Sequence, residues 1–272
     1  MQRELSTLAI ISIDNHDDPR ISGFRDIRER DLTGREGLFV AEGEVVLNVL
    51  TSPQSLCGVS SLLLDAKRVE VLAPVLARLS PEVPVHVAEQ GVLDRIAGFH
   101  LHRGILALGK KPEAQGLEIL LAGLGPEAVV VMACGIGNHD NMGGLFRNAA
   151  AFGAGAVILD ERCCDPFYRK AIRVSVGAVL RTPMTTGVDA VSAVQALKAA
   201  GFSVLALTGG ASQVLGEVAP GGRVALVLGA EGPGLPQAVI DLCQPVGIRM
   251  AAGFDSLNVA TASGIALHHF AR

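Results

Sequence analysis

Three stretches of this 272-residue chain carry residues that could do chemistry. The first, CGIGNHDNMGGLFRNAAAFG at 134–153, sets Asn141 and Arg147 around two adjacent glycines. The second, GAEGPGLP at 229–236, places Glu231 among three glycines. The third, AAGFDSLNVATASG at 251–264, carries Asp255, Ser256 and Asn258. A guanidinium stays protonated and binds oxyanions, while amides, hydroxyls and carboxylates orient it. Nothing bulky stands one turn before Arg147 to shield its guanidinium, and an acid at the end of a buried strand is a site candidate. Each residue also has a plain structural use. Arg147 could sit in an ion pair, Asn141 could cap a helix, and Asp255 or Ser256 could cap another, with Asn258 in its first turn. The stretch 229–236 could be an ordinary turn. Spacing alone leaves both readings open.

Two adjacent glycines in a helix cost about 1 kcal/mol each relative to alanine. Gly143 and Gly144 therefore predict that something approaches the backbone closely there. The run GIG at 135–137, with Asp160 downstream, suggests a dinucleotide-binding loop. Asp140 stands where a third small residue belongs, and its carboxylate would face a pyrophosphate. That makes a nicotinamide-dependent oxidoreductase a weaker reading.

The elements that must position these residues follow from the apolar runs. From Glu127 onward, VVVMAC, AVILD, VLRTPM, FSVLALT, RVALVLG and PVGIRM read as strands, continuous rather than alternating. That pattern predicts a parallel sheet covered on both faces. Helical segments lie between them: NMGGLFRNAAAF, FYRKAIRVSVG, VDAVSAVQALKAAG, PQAVIDLC and SLNVATASGIALHHF. Ligands bind beyond the carboxyl ends of such strands, so the loops at 135–144, 208–216, 229–236 and 251–257 are the informative ones. The first half reads as a small α/β sandwich with alternating strands and helices, ending in RGILALG at 103–109. The polar KKPEAQG at 110–116 is the linker, giving domains 1–112 and 113–272.

Bulk properties exclude several classes. Apolar residues make up 49% of the chain, charged residues 18%, and mean hydropathy is +0.41, which describes a folded domain rather than a disordered one. The formal charge of −4 provides no bulk attraction to nucleic acid, so RNA binding must use local patches. Two stretches qualify. Residues 17–36 carry Arg20, Arg25, Arg28, Arg30 and Arg35 among acids, and 163–173 carries Arg169, Lys170 and Arg173. The first is either a solvated helix face or a surface for RNA phosphates, and the second either a solvated face or an RNA-facing or dimer-facing helix. The five cysteines form no CxxC, and the histidines have no ligand spacing, so neither disulfides nor a metal site are expected. The run LAIISI is too short for a signal peptide, and 117–137 is too broken for a membrane span. A cytoplasmic location is expected.

Taken together, three blocks resemble the SpoU-type (TrmH-like) RNA ribose methyltransferases of the SPOUT superfamily. They are NMGGLFRNA at 141–149 continued by AFG, LGAEGPGL at 228–235 continued to Ile248-Arg249-Met250, and SLNVA at 256–260. FVAEGEVV and HRGILAL in the first half resemble that family's RNA-binding domain, with lower specificity. The resemblance implies an α/β fold, a SPOUT-type parallel sheet with a C-terminal trefoil knot, preceded by the small α/β sandwich that binds RNA substrate. It implies a homodimer and S-adenosylmethionine as cofactor, in a pocket marked by Gly229, Ile248, Met250 and Leu257 with Thr208 and Gly209 nearby. It implies methylation of a ribose 2′-hydroxyl in ribosomal or transfer RNA, with Arg147 acting on the hydroxyl or its phosphate. Asn141, Glu231, Ser256 and Asn258 would orient Arg147 and the ribose. Arg20, Arg25, Arg28, Arg169 and Arg173 would contact RNA. Two positions depart from the family pattern: His139 where a proline is common, and Ala260 where a serine is common. The alternative is a non-catalytic RNA-binding protein that kept the fold.

Overall fold

Alternating apolar and helix-period segments build two separate sheets in the computed structural model, which describes residues 9–25, 37–98, 101, 103–254 and 256–271. The chain divides into two compact units. Unit 1 comprises Met1–Pro112 and Phe167–Arg181, and unit 2 comprises Glu113–Pro166 and Thr182–Arg272. The segment 167–181 lies in the middle of the second half of the sequence, yet it clusters with the first.

Unit 1 contains β1 (Ile10–Ile13), β2 (Leu38–Glu42), α1 (Glu44–Leu50), β3 (Gly58–Asp65), α2 (Ala73–Leu76), β4 (Val85–Ala88), α3 (Gln90–Ala97) and β5 (Ile105–Lys110). Its sheet runs β1-β4-β3-β5-β2, with β1, β4 and β3 parallel and β5 antiparallel to both neighbours. The apolar run at the start of the chain is thus an edge strand. The apolar spacing of VEVLAPVLARLS at 69–80 predicts a helix, but α2 spans only Ala73–Leu76, its start set by Pro74, which fits only in the first turn. The helix α6 (Arg169–Val174) also belongs to this unit. Just ahead of it, the Phe167 ring packs 5.3 Å from that of Phe39, and Lys111 Nζ lies 5.1 Å from the Phe167 centroid.

Unit 2 contains α4 (Leu117–Ala122), β6 (Val129–Cys134), α5 (His139–Ala151), β7 (Ala156–Asp160), β8 (Met184–Val188), α7 (Ala190–Ala199), β9 (Ser203–Leu207), β10 (Val224–Gly229), α8 (Gln237–Ile240), β11 (Gln244–Val246) and α9 (Val259–Phe270). Its sheet is parallel throughout, in the order β11-β9-β10-β6-β7-β8. The central strands are buried almost without interruption, as expected when both faces are covered. Leu120, Met132, Ile158, Val194, Leu197 and Val227 belong to one continuous core.

Two strand expectations shift. The run VLRTPM is not a strand at 179–184; Ala178–Leu180 form a buried 3-10 turn in unit 1, and the strand begins at Met184 and continues through two threonines. An edge position tolerates that polar sequence, which masked the strand. The run PVGIRM leaves β11 after Val246, and Gly247 makes only an isolated bridge to Val214.

The order of the strands decides where ligands can bind. From β6 the chain moves outward to β7 and β8, then crosses over and returns at β10, directly beside β6. The chain leaving β10 turns the other way, towards β11. The carboxyl ends of β6 and β10 therefore flank a topological switch point, where open α/β sheets leave a crevice.

Candidate functional site

Cys134 at the end of β6 is in register with Gly229 at the end of β10, so two of the chemically promising loops begin side by side. After β6 the chain turns at Gly135, with φ of +69°. The Gly135 N–H donates to Asp160 Oδ1 at 2.9 Å, and the Arg162 N–H donates to the same oxygen at 3.1 Å. Asp160 is buried and fastens this turn from within. The carboxylate that a dinucleotide-binding loop would offer to a ribose is therefore a structural tie.

Helix α5 is capped by Asn138, whose Oδ1 accepts from Asp140 N at 2.8 Å and Asn141 N at 3.4 Å. Asn141, expected as the cap, is instead the third helical residue and is buried. Its side-chain amide is thereby free to reach across the switch point. Asn141 Nδ2 donates to Glu231 Oε1 at 2.5 Å. Asn258 Nδ2 donates to Asn141 Oδ1 at 2.8 Å and to Glu231 Oε1 at 3.1 Å. Asn258 is also the cap of α9, its Oδ1 accepting from Ala260 N at 2.9 Å and Thr261 N at 3.3 Å. The cap expected at Asp255 or Ser256 falls on Asn258 instead; Ser256 is exposed, and Asp255 lies outside the described residues.

The glycines turn out to serve packing. A Cβ on Gly144 would lie 2.6 Å from Ala260 Cβ, so what approaches this backbone is α9 rather than a ligand. A Cβ on Gly229 would lie 2.3 Å from the carbonyl carbon of Gly234. The loop after β10 folds back there, with Gly234 N donating to Ala230 O at 3.0 Å. Gly232 and Gly234 adopt φ of +83° and +69°, a region open to glycine at no steric cost.

A cavity of about 610 Å³ opens beside this loop. Thr208, Gly209, Gly229, Ile248, Met250 and Leu257 all line it, as do Glu231, Ser256 and Asn258. Asn141 is joined to its edge through Glu231 and Asn258. Leu207, Leu228, Val246 and Val259 add apolar wall; in sequence they read as strand or helix interior, with no signal of a site. Arg147 does not line the cavity. It is exposed on α5 and makes no hydrogen bond or ion pair with any described residue, so the structural ion pair finds no partner there.

The arginines proposed to meet RNA have varied surroundings. Arg20 donates from Nε to Asp18 Oδ1 at 2.9 Å, and these bonds hold the Asp18 carboxyl down at about 2. Arg25 pairs with Asp17 at 3.2 Å and donates to Asp18 O. Arg28 lies outside the described residues. Arg169 and Arg173 converge on Glu42, at 3.4 and 3.9 Å, with Arg173 the more exposed. Burial pushes the thiols of Cys57, Cys134 and Cys163 up to about 12 and those of Cys164 and Cys243 to about 11, so none is a ready thiolate. Among the described residues, no group of three or more His, Cys, Asp or Glu could hold a metal, and no helix is long and apolar enough to cross a membrane.

A parallel sheet with a glycine-lined cavity and an amide–carboxylate cluster at its switch point defines an α/β ligand-binding domain. The profile of the SpoU rRNA Methylase family matches residues 128–268, and the chain belongs to that family. A relative from Mycobacterium tuberculosis, named as an uncharacterized tRNA/rRNA methyltransferase, is 37% identical over 270 residues, covering 94% of this chain and 90% of its own. The fold is shared with an AdoMet-bound rRNA methyltransferase from Sinorhizobium meliloti, at a TM-score of 0.80 and 22% identity over 96% of this chain and 97% of that one. It is shared also with an RNA 2′-O ribose methyltransferase, at 0.74 and 22% over 96% and 98%.

Proposed function

We propose that this protein methylates a ribose 2′-hydroxyl of ribosomal or transfer RNA, using S-adenosylmethionine. The observation that carries the reading is the Asn141–Glu231–Asn258 cluster at the edge of the cavity, whose Asn141 shares helix α5 with an exposed Arg147. The relatives' names and the solved neighbour described as a 2′-O ribose methyltransferase support it.

The residues present fit the cofactor. The cavity volume lies within the range of about 300–1,000 Å³ usual for small-molecule sites. Close packing of Gly229 against Gly234 leaves backbone rather than side chain at the cavity wall. Thr208, Gly209, Gly229, Ile248, Met250 and Leu257 would hold the cofactor. When bound, S-adenosylmethionine supplies a methyl group activated by a positively charged sulfur.

The chain's own residues would do the rest. Arg147 stays protonated, so it is not a plain general base. It would clamp the phosphate beside the target ribose and stabilise the alkoxide as the hydroxyl proton leaves, with that phosphate relaying the proton. Asn141, Glu231, Ser256 and Asn258 would orient the ribose, with Arg147 placed through the helix it shares with Asn141 rather than by contact with them, and keep the two reactants aligned. The C-terminal path is read as the family's trefoil knot, two copies as a homodimer, residues 1–112 as the RNA substrate-binding domain, 113–272 as the catalytic domain, and the cytoplasm as the compartment. Arg20, Arg25, Arg28, Arg169 and Arg173 would contribute RNA contacts, with salt-sensitive affinity.

The test is to incubate the protein with methyl-labelled cofactor and purified ribosomal or transfer RNA, then digest the RNA to nucleosides. Label on ribose 2′-oxygen is the expected result. Label on a base would overturn the ribose assignment, and RNA binding without any transfer would favour the non-catalytic alternative.

A further inference from the structure

Asn148 follows Arg147 directly in α5, and its side chain is engaged on α9. Asn148 Nδ2 donates to the Ala260 carbonyl at 2.6 Å and to Ser263 Oγ at 3.0 Å. Ser263 is fully buried, and its hydroxyl donates to the same Ala260 carbonyl at 2.8 Å. A Cβ on Gly264 would come within 3.2 Å of Asn148 Nδ2, so α9 leaves a notch in which this amide sits.

Positions 141, 144 and 148 follow the i, i+3, i+7 spacing that places residues on one helix face. All three meet α9 or its cap: Asn141 meets Asn258, Gly144 meets Ala260, and Asn148 meets Ala260 and Ser263. The two asparagines are seven residues apart, or about 10 Å along the axis. They pin α5 to α9 at two points, and two pins fix the rotation of a helix about its axis where one does not. Arg147 is one residue, or about 100°, around from the second pin. A rotation of about 10° moves a group about 6 Å from the axis through about 1 Å. A misplacement of that size costs about a hundredfold in rate when it displaces a reacting group.

We propose that Asn148 is a positioning residue for methyl transfer, setting the rotation of α5 and thus the direction in which Arg147 presents its guanidinium. This rests on the role given to Arg147 above. Asn148 touches neither substrate nor cofactor in this scheme and acts through its neighbour.

The test compares the wild type with Asn148→Ala, Asn148→Ser, Arg147→Lys and the double variant Asn148→Ala/Arg147→Lys. Methyl transfer, calorimetric titration with S-adenosylmethionine and thermal unfolding are measured for each. For Asn148→Ala we expect kcat to fall about 10- to 100-fold, while KM and Kd for the cofactor stay within about twofold. Asn148→Ser keeps a donor for the Ala260 carbonyl and should recover most of the rate. In the Arg147→Lys background the same change should cost far less, because its effect runs through the arginine. A wild-type rate for Asn148→Ala overturns the inference. So does an equal loss in both backgrounds, which would mark a general structural role. If Asn148→Ala does not fold, Ser263→Ala removes one of the two acceptors and carries the same comparison. A wild-type protein that transfers no methyl overturns the proposed function and this inference with it, whereas an active wild type with an unaffected Asn148→Ala overturns the inference alone.

Discussion

Asn258 Nδ2 lies 2.8 Å from Asn141 Oδ1, while the other end of the Asn258 amide caps α9. One side chain thus holds a helix start with its oxygen and the site with its nitrogen. The two duties separate by substitution. Asn258→Ser keeps a good cap but removes the amide donor, so stability should stay within about 0.5 kcal/mol and methyl transfer should fall about 10- to 100-fold. Asn258→Ala loses both, with a further cost of about 1 kcal/mol. Thermal unfolding and rate measurements on the pair check this; an Asn258→Ser protein of full activity would remove the orienting role.

Arg147 is exposed and has no described partner, so Arg147→Ala has little to disturb in the fold. Stability should change by less than about 0.5 kcal/mol, and cofactor affinity, read by calorimetry, should be near normal. The rate of transfer should fall about a thousandfold or more if the guanidinium stabilises the alkoxide. Turnover at the wild-type rate would end the assignment.

Gly144 faces Ala260 across the α5–α9 contact. Gly144→Ala gains about 1 kcal/mol in helix propensity. It also places a methyl 2.6 Å from the Ala260 Cβ, and overpacking of this kind costs about 1–3 kcal/mol. The net expectation is a lower melting temperature with the two helices forced apart, and a partial return in Gly144→Ala/Ala260→Gly. An unchanged melting temperature in the single variant would show that the helices separate freely.

His86 in unit 1 is buried beside Phe24, and its Nδ1 has no hydrogen-bond partner. Burial first, and then the charge of Arg20, lower its pKa from the usual 6.5, against a smaller opposing effect of Asp18. The unfolded chain therefore binds a proton more readily than the folded one. The stability contribution is complete above about pH 6.5 and is lost as pH falls below it. The drop in melting temperature between about pH 7 and pH 5 should be smaller in His86→Leu than in the wild type. Equal drops would exclude His86 as a source of acid sensitivity.

Much of this architecture is legible in the chain because parallel strands covered on both faces leave an unmistakable mark. VVVMAC, AVILD and VALVLG are apolar almost throughout. Edge strands leave a fainter one: Met184–Val188 carries two threonines and a glycine, while the apolar residues of the buried 3-10 turn at Ala178–Leu180 have the composition of a strand. Helix caps are legible only to within a few residues, because Asn138, Asn141, Ser256 and Asn258 are all competent caps, and only the backbone path chooses among them.

The three motif blocks, by type and order alone, mark which residues are candidates for chemistry and which loops hold them. Only the tertiary structure decided what those residues do to one another. The return of β10 beside β6 brings Glu231, 90 positions away, onto Asn141. It decided too that the glycine at 144 makes room for Ala260, and that 167–181 leaves its sequence neighbours for unit 1. Sequence patterns report the period and burial of one segment at a time, whereas these relationships depend on strand order, which no local pattern encodes.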